Sequence, residues 1–352
     1  MAKVTLHNLC IQYGQTATIS NLSLDVDDGE LVTLLGPSGC GKTTTLRTIA
    51  GFIKPVSGQV LFGDKDVTRI SAHKRNTGMV FQRYALFPHL SVQDNIAFGL
   101  KMHHYTKAQR EERIKKVLDM MRMSQYASRY PYQLSGGEQQ RIAIARALAI
   151  EPEVFLLDEP LSNLDAKLRI QVREEIKELQ QRLGLTTIFV THDQQEALAI
   201  ADRMAVMNQG RIEQIGSSKD LYYQPDSLFV AEFLGGVNFF EGHMQGINQF
   251  QCHNGTSFYV EKSVEGAQYL GVRPEKITLH SQPQAGLNQL SVQITQVIFK
   301  GTEFEVQLRT TQGQTLRSLL PHLQSDTAGT TFNVGDNAYA CFSTQDAMLF
   351  VA

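Results

Sequence analysis

Residues 34–45 read Leu-Leu-Gly-Pro-Ser-Gly-Cys-Gly-Lys-Thr-Thr-Thr, placing three glycines and a lysine between an apolar run and a helix-forming one. The spacing Gly36-x4-Gly41-Lys42-Thr43 fits G-x-x-x-x-G-K-[ST], a loop that cradles phosphates. Upstream, Leu31–Leu35 is short, apolar and β-prone, as a buried strand would be. Downstream, Thr43–Ala50 reads as a helix ended by Gly51. Glycines let the backbone curl so that successive N–H groups face inward on an anion. The helix N-terminus adds partial positive charge, and Lys42 adds a full charge that can reach the β- and γ-phosphates. Thr43 offers a hydroxyl to Mg²⁺. Gly36, Pro37, Ser38, Gly39, Cys40, Gly41, Lys42, Thr43 and Thr44 are therefore the first candidates for holding a nucleoside triphosphate. Cys40 fits there as a small filler.

A chain of 352 residues has room for two or three domains. It is 42% hydrophobic and 19% charged with a formal net charge of -2, so it carries no basic excess for nucleic acid or an anionic membrane. No uninterrupted apolar run is long enough to span a bilayer. The opening Met1-Ala-Lys-Val-Thr-Leu-His lacks the apolar core of a secretory signal. Cys10, Cys40, Cys252 and Cys341 have no paired spacing, which suggests neither zinc nor a disulfide framework. A cytosolic, reduced protein is expected.

Residues 3–35 alternate polar and apolar positions, with turn signals at Tyr13-Gly14 and Asp27-Asp28-Gly29, and predict antiparallel strands. Residues 107–123 carry Ile114, Val117, Leu118 and Met121 at helical spacing. Residues 166–183 do the same with Val172, Ile176, Leu179 and Leu183. Between and after these helices come the apolar runs 154–157 and 187–190, which predict a parallel sheet covered on both faces. Near Gly235-Gly236 the texture turns Gln-, Gly- and Thr-rich, with short alternating runs at 291–298 and 303–308, and predicts a small all-β barrel.

Two further stretches carry chemistry. Val154–Leu157 leads into Asp158-Glu159, so a strand would deliver two carboxylates to the sheet edge beside the phosphate loop. Asp158 is placed for Mg²⁺, and Glu159 for orienting or deprotonating a water that attacks the γ-phosphate. Ser135-Gly136-Gly137 then opens a second helix with a glycine turn, hence a second phosphate receptor. One chain needs only one such receptor. Two subunits remove the redundancy if each closes its turn on nucleotide held by the other.

Together these motifs make the sequence resemble the ATP-binding subunits of ABC transporters. Gly36–Thr43 matches the Walker A loop, Leu134–Glu138 the signature and Leu156–Glu159 the Walker B strand. Gln82 matches the Q-loop glutamine, Ser162–Asp165 the D-loop, His192 the switch histidine and Tyr13 the aromatic residue that stacks on adenine. The motifs run in order over residues 3–234. Glu138 departs from the more usual glutamine and brings negative charge near a phosphate site, although it can cap its helix.

The resemblance implies an α/β fold: a mixed-sheet core with an antiparallel β subdomain and a helical subdomain at about 85–150, all within 1–235. An OB-like barrel then fills 236–352. It implies ATP and Mg²⁺ as cofactors. Lys42, Gln82, Glu159 and His192 are the implied catalytic residues. Tyr13, the phosphate loop, Gln82, Ser135, Gly136, Gly137, Asp158 and Asp165 are the implied nucleotide contacts, and Thr43, Gln82 and Asp158 the metal ligands. Its implied partners are a second copy, two integral membrane permeases and a periplasmic or lipid-anchored solute-binding protein, with no nucleic acid. The location implied is the cytoplasmic face of the inner membrane.

The tail, Phe229–Gly242 followed by Leu270–Ile277, is similar to that of bacterial importers of sugars, polyamines, ferric iron, sulfate and phosphonates. Asn238-Phe239 is nearer the polyamine and ferric members. A soluble ATPase acting on ribosomes or DNA is the alternative of another class, disfavoured by a single cassette and no basic patch. A sensor module with a decayed ATPase is disfavoured by the intact Lys42, Asp158, Glu159 and His192.

Overall fold

The computed structural model describes residues 2–13, 16–323 and 331–351, which form two compact units, 1–221 and 222–352. In the first unit, β1 (Val4–Tyr13) and β2 (Thr16–Val26) pair antiparallel, with Val4 opposite Val26 and Ile11 opposite Ile19. β3 (Leu31–Leu35) follows, buried at every position, and leads through the phosphate loop into α1 (Lys42–Ala50). β4 (Ser57–Phe62) and β5 (Lys65–Asp66) join β1 and β2 in a four-stranded antiparallel sheet of order β2-β1-β4-β5. Then come β6 (Thr77–Val80), α2 (Val92–Met102), α3 (Lys107–Met120), α4 (Gly136–Leu148), β7 (Val154–Asp158), α5 (Ala166–Leu183), β8 (Thr186–Val190), α6 (Gln194–Ile200), β9 (Arg203–Asn208) and β10 (Arg211–Gly216).

The central sheet has the order β10-β9-β3-β8-β7-β6, parallel except for the β9–β10 pair. β7 and β8, like β3, are buried at every position, as continuous apolar runs between two covered faces should be. The topology positions the site. β3, β8, β7 and β6 are parallel neighbours, so their C-terminal ends share one edge, where ligands of open α/β sheets bind. That edge receives the phosphate loop from β3, His192 after β8, Asp158-Glu159 from β7 and Gln82 after β6.

Val172, Ile176 and Leu179 of α5 are buried as one stripe, and α5 ends at Gly184 in the left-handed region. α3 is shorter than its apolar periodicity suggests. It stops at Met120, and Met121 is its cap, still buried. Arg75 fastens α1 to the segment that follows β5. Buried to 3% exposure, it donates Nη1 to Thr48 O and Ile49 O at 2.7 Å, Nε to Ile70 O at 2.9 Å and Nη2 to Thr68 O at 3.0 Å. Arg75→Leu orphans those carbonyls and is expected to lower stability by about 3 kcal/mol or more. Calorimetric unfolding at the wild-type temperature would contradict that role.

The second unit holds two five-stranded antiparallel sheets. One runs through Asn238–Met244, Gln249–Cys252, Ser257–Tyr259, Tyr269–Val272 and Ala347–Phe350; the other through Thr278–His280, Asn288–Phe299, Phe304–Thr310, Thr315–Leu320 and Asn337–Phe342. Phe240, Phe250, Phe258, Val306, Leu308 and Phe342 belong to their common core. Alternation explains the strands: in 304–310, Val306, Leu308 and Thr310 are buried.

The compact units divide after Leu221, ahead of the compositional change at Gly235-Gly236. The short helix Leu228–Phe233 goes with the barrel because Arg273 reaches back to it, donating Nη1 to Ala231 O, Leu234 O and Gly236 O and Nη2 to Tyr222 O. The four cysteines carry free thiols. No helix among the described residues is long and apolar enough to cross a membrane.

Candidate functional site

The loop after β3 folds tightly. Gly41 has φ 105°, and a Cβ there would meet Ile19 Cδ1 at 2.3 Å, while a Cβ at Gly36 would meet Met207 O at 2.2 Å. No larger residue fits either position. Lys42, only 6% exposed, turns its ammonium into the loop, donating to Gly36 O at 2.7 Å and Pro37 O at 2.9 Å with Cys40 Sγ at 3.8 Å. Ser38 and Gly39 face solvent at the loop's mouth. A buried ammonium held by the carbonyl oxygens of a glycine loop, beside a helix N-terminus, can turn to receive an anion.

Thr43 Oγ1 donates to Asp158 Oδ1 at 2.9 Å across 115 residues of sequence. Asp158 is 4% exposed, and burial pushes its carboxyl above the ordinary carboxylate range against the pull of the Thr43 hydrogen bond and of Arg47. Arg47 of α1, 3.9 Å from Asp158 Oδ2, belongs to this cluster and was not among the residues singled out from sequence. Its place one turn beyond Thr43 was the available signal.

Glu159 is the meeting point of the second cluster. Gln82 Nε2 donates to Glu159 Oε2 at 2.9 Å, and His192 Nδ1 lies 3.2 Å from the same oxygen. Glu159 has φ 46°, a left-handed backbone that costs a non-glycine residue about 1–3 kcal/mol, and its N–H is secured by Val190 O at 3.0 Å. Asn163 Nδ2 donates to Gln82 O at 2.7 Å, so the segment after β7 holds the one after β6.

The His192 turn is braced from behind. Thr191 Oγ1 donates to Glu196 Oε2 at 2.6 Å, and Arg169 pairs with Asp193 and Glu196 at 3.3 and 3.5 Å. Sequence reading placed Asn163 inside the D-loop match without its partner and missed Arg169, because both partnerships are fixed only by the fold.

Other candidates stand apart. Asp165 caps α5, accepting from Leu168 N at 3.0 Å. Ser135 caps α4 in a capping box: its N–H and hydroxyl donate to Glu138 Oε2 at 2.7 and 2.8 Å. The Ser135 N–H holds the Glu138 carboxyl below its ordinary range, so the unusual acid is used by its own helix. Gly136 is exposed, whereas Gly137 is buried with Leu168 Cδ2 2.6 Å from where a Cβ would be. Among the described residues no hydrogen bond joins Ser135–Gly137 to the phosphate loop. Thr44 lies in α1, its carbonyl accepting from Thr48 Oγ1 at 2.8 Å. The Tyr13 side chain, expected on adenine, lies outside the described residues.

A glycine loop, an inward lysine and a strand-end carboxylate on one parallel-sheet edge define a P-loop nucleoside triphosphatase. Comparison with known proteins narrows the class. Residues 19–162 match the ABC transporter family and residues 270–350 the TOBE domain. The Fe(3+) ions import ATP-binding protein FbpC of Vibrio cholerae is 44% identical over 352 residues, covering 98% of this chain and 97% of that one. Its counterparts from Photobacterium profundum and Rhizobium meliloti are 45% and 46% identical, covering 96% and 88% of this chain and 94% and 88% of theirs.

Two solved structures also align: the ATP-binding cassette MJ0796 as a post-hydrolysis dimer bound to ADP and Pi, and MJ0796 as a dimeric bacterial ABC transporter cassette. They have TM-scores of 0.54 and 0.55, are each 31% identical, and cover 61% of this chain and 98% of theirs. The chain belongs to the ABC transporter family, as an ATP-binding and ATP-hydrolysing member with a C-terminal TOBE barrel.

Proposed function

We propose that this protein is the ATPase subunit of a ferric-iron importer. It works as a homodimer on the cytoplasmic face of the inner membrane, beneath two permease subunits supplied by a periplasmic or lipid-anchored solute-binding protein. The observation that carries the hydrolytic role is the convergence of Gln82 and His192 on one oxygen of Glu159. A carboxylate so held can accept a proton from water aimed at the γ-phosphate, with the neighbouring donors fixing its orientation. Lys42 then leaves the loop carbonyls for phosphate oxygens.

Magnesium suits the remaining groups: the Thr43 hydroxyl and Asp158 carboxylate are hard oxygen donors already in contact. They would hold the ion, with Gln82 as a third ligand, and when bound it neutralises charge on the transferring phosphoryl group.

An apolar groove of about 670 Å³ supports the permease contact. Phe52, Phe98 and Met102, at 58%, 41% and 62% exposure, line it together with Phe81 and Ala85, either side of Gln82. A helix from a membrane subunit laid there would feel the position of Gln82 directly. The relatives named for Fe(3+) import support ferric iron over polyamine, sugar, sulfate or phosphonate.

The test is co-purification with the membrane partners, followed by transport of a labelled solute panel in proteoliposomes. ATP-dependent ferric uptake that is lost in Lys42→Ala is expected. Uptake of another solute overturns the cargo, and failure to associate with any permease overturns the importer.

A further inference from the structure

Gln82 is gripped at its side chain by Glu159 and at its carbonyl by Asn163. Two residues later the chain makes an unfavourable turn: Tyr84 has φ 60° and Ala85 φ 49°, and neither is glycine. Such backbone persists only where its surroundings over-determine it. The grip comes from Arg146, whose Nη2 donates to Tyr84 O at 2.9 Å and Nη1 to Ala85 O at 2.6 Å. Arg146 lies on α4, the helix that opens at Ser135–Gly137.

Tyr84 completes the link from the other direction. Its ring is 8% exposed and belongs to the apolar cluster that includes Leu134, Leu161 and Leu164. Its hydroxyl has no hydrogen-bond partner among the described residues and sits 3.8 Å from the position a Cβ would take on Gly136. A buried hydroxyl without a partner is unfavourable and unusual. The first N–H groups of a helix, Gly136 among them, have no acceptor inside that helix. An unpartnered hydroxyl therefore lies beside the residue that opens α4. Close-packed interiors transmit displacement rather than absorb it.

We propose that Tyr84, anchored by Arg146, is a positioning residue that couples Gln82 to the glycine turn of α4. Contact between Gln82 and Glu159 then changes together with the placement of Ser135 and Gly136. The inference rests on the hydrolytic roles proposed above for Gln82 and Glu159, and it assigns their communication with the α4 turn within one subunit.

Tyr84→Phe removes a single unpaired oxygen and opens no cavity. In the full chain it is expected to leave ATP affinity unchanged and the melting temperature unchanged or raised, since an unpaired buried oxygen is removed. It is expected to lower kcat about five-fold at unchanged KM, within the range of contacts that couple neighbouring residues. Placed on Gln82→Ala, the same change is expected to lower kcat no further, because the lever then has nothing to move. Wild-type turnover in Tyr84→Phe overturns the coupling, as do independent losses in the double variant or a lowered melting temperature. Glu159→Gln measured alongside tells the two readings apart. If it too hydrolyses normally, the assignment of the site has failed; if it is slow while Tyr84→Phe is normal, only the coupling has failed.

Discussion

Glu159→Gln is expected to bind ATP as tightly as the wild type while hydrolysing it about 10²–10⁴-fold more slowly, the usual contribution of a positioned general base. The geometry makes this substitution informative. Glu159 holds φ 46° and a backbone hydrogen bond to Val190, and glutamine inherits the same backbone at the same cost. The amide oxygen can still accept from Gln82 or His192, so the shape of the cluster survives. What disappears is the second anionic oxygen that takes the proton. Asp158 cannot substitute, because it is 4% exposed and engaged with Thr43 and Arg47. Calorimetry for binding and steady-state phosphate release for turnover check both halves. Turnover near the wild-type rate would remove Glu159 from the base role.

The parts of this site that were legible in the sequence are those that a strand end delivers by itself. Each of Gly36, Asp158 and His192 follows an apolar run, and continuous apolar runs separated by helices already imply adjacent parallel strands. The limit of α1 was readable for a similar local reason: Gly51 stops it in the left-handed region. Partnerships between distant residues were not. Gln82 and Glu159 are 77 positions apart, and nothing local to either specifies their contact. Asn163 and Arg146 act on carbonyls, which every residue carries, so their composition holds no signal. The unit boundary was displaced for a related reason: Arg273 claims the stretch before Gly235 by tertiary hydrogen bonds to its carbonyls. The signature turn shows a finer limit, since two adjacent glycines read alike in sequence while one is exposed and the other packs under Leu168.

That difference selects the variant for the last prediction. The turn at Ser135–Gly137 is complete as a capped helix start, yet the same chain already owns a phosphate loop. We propose that the turn contacts ATP bound to Lys42 of a second copy. Gly137→Asp would disturb Leu168 and confuse packing with nucleotide contact. Gly136→Asp is cleaner, because the nearest atoms to a Cβ there, Leu164 Cδ2 and Tyr84 Oη, lie at 3.8 Å. It sets a negative charge at a helix N-terminus proposed to face phosphate, and is expected to spare ATP binding by the monomer while blocking closure. Lys42→Ala removes the buried ammonium and is expected to abolish both binding and hydrolysis, with a loss of at least about 10²-fold as for other preorganised charge contacts. Each homodimer should therefore be inactive. Mixed, they form a heterodimer in which both lesions fall in one composite site and leave the other intact, so ATP binding and closure should return at that site alone. A site confined to one subunit predicts no recovery at all. ATP-dependent crosslinking across the dimer reads the outcome independently of turnover: closure without hydrolysis means the two sites fire together, and a heterodimer that forms but never closes on ATP overturns the shared site.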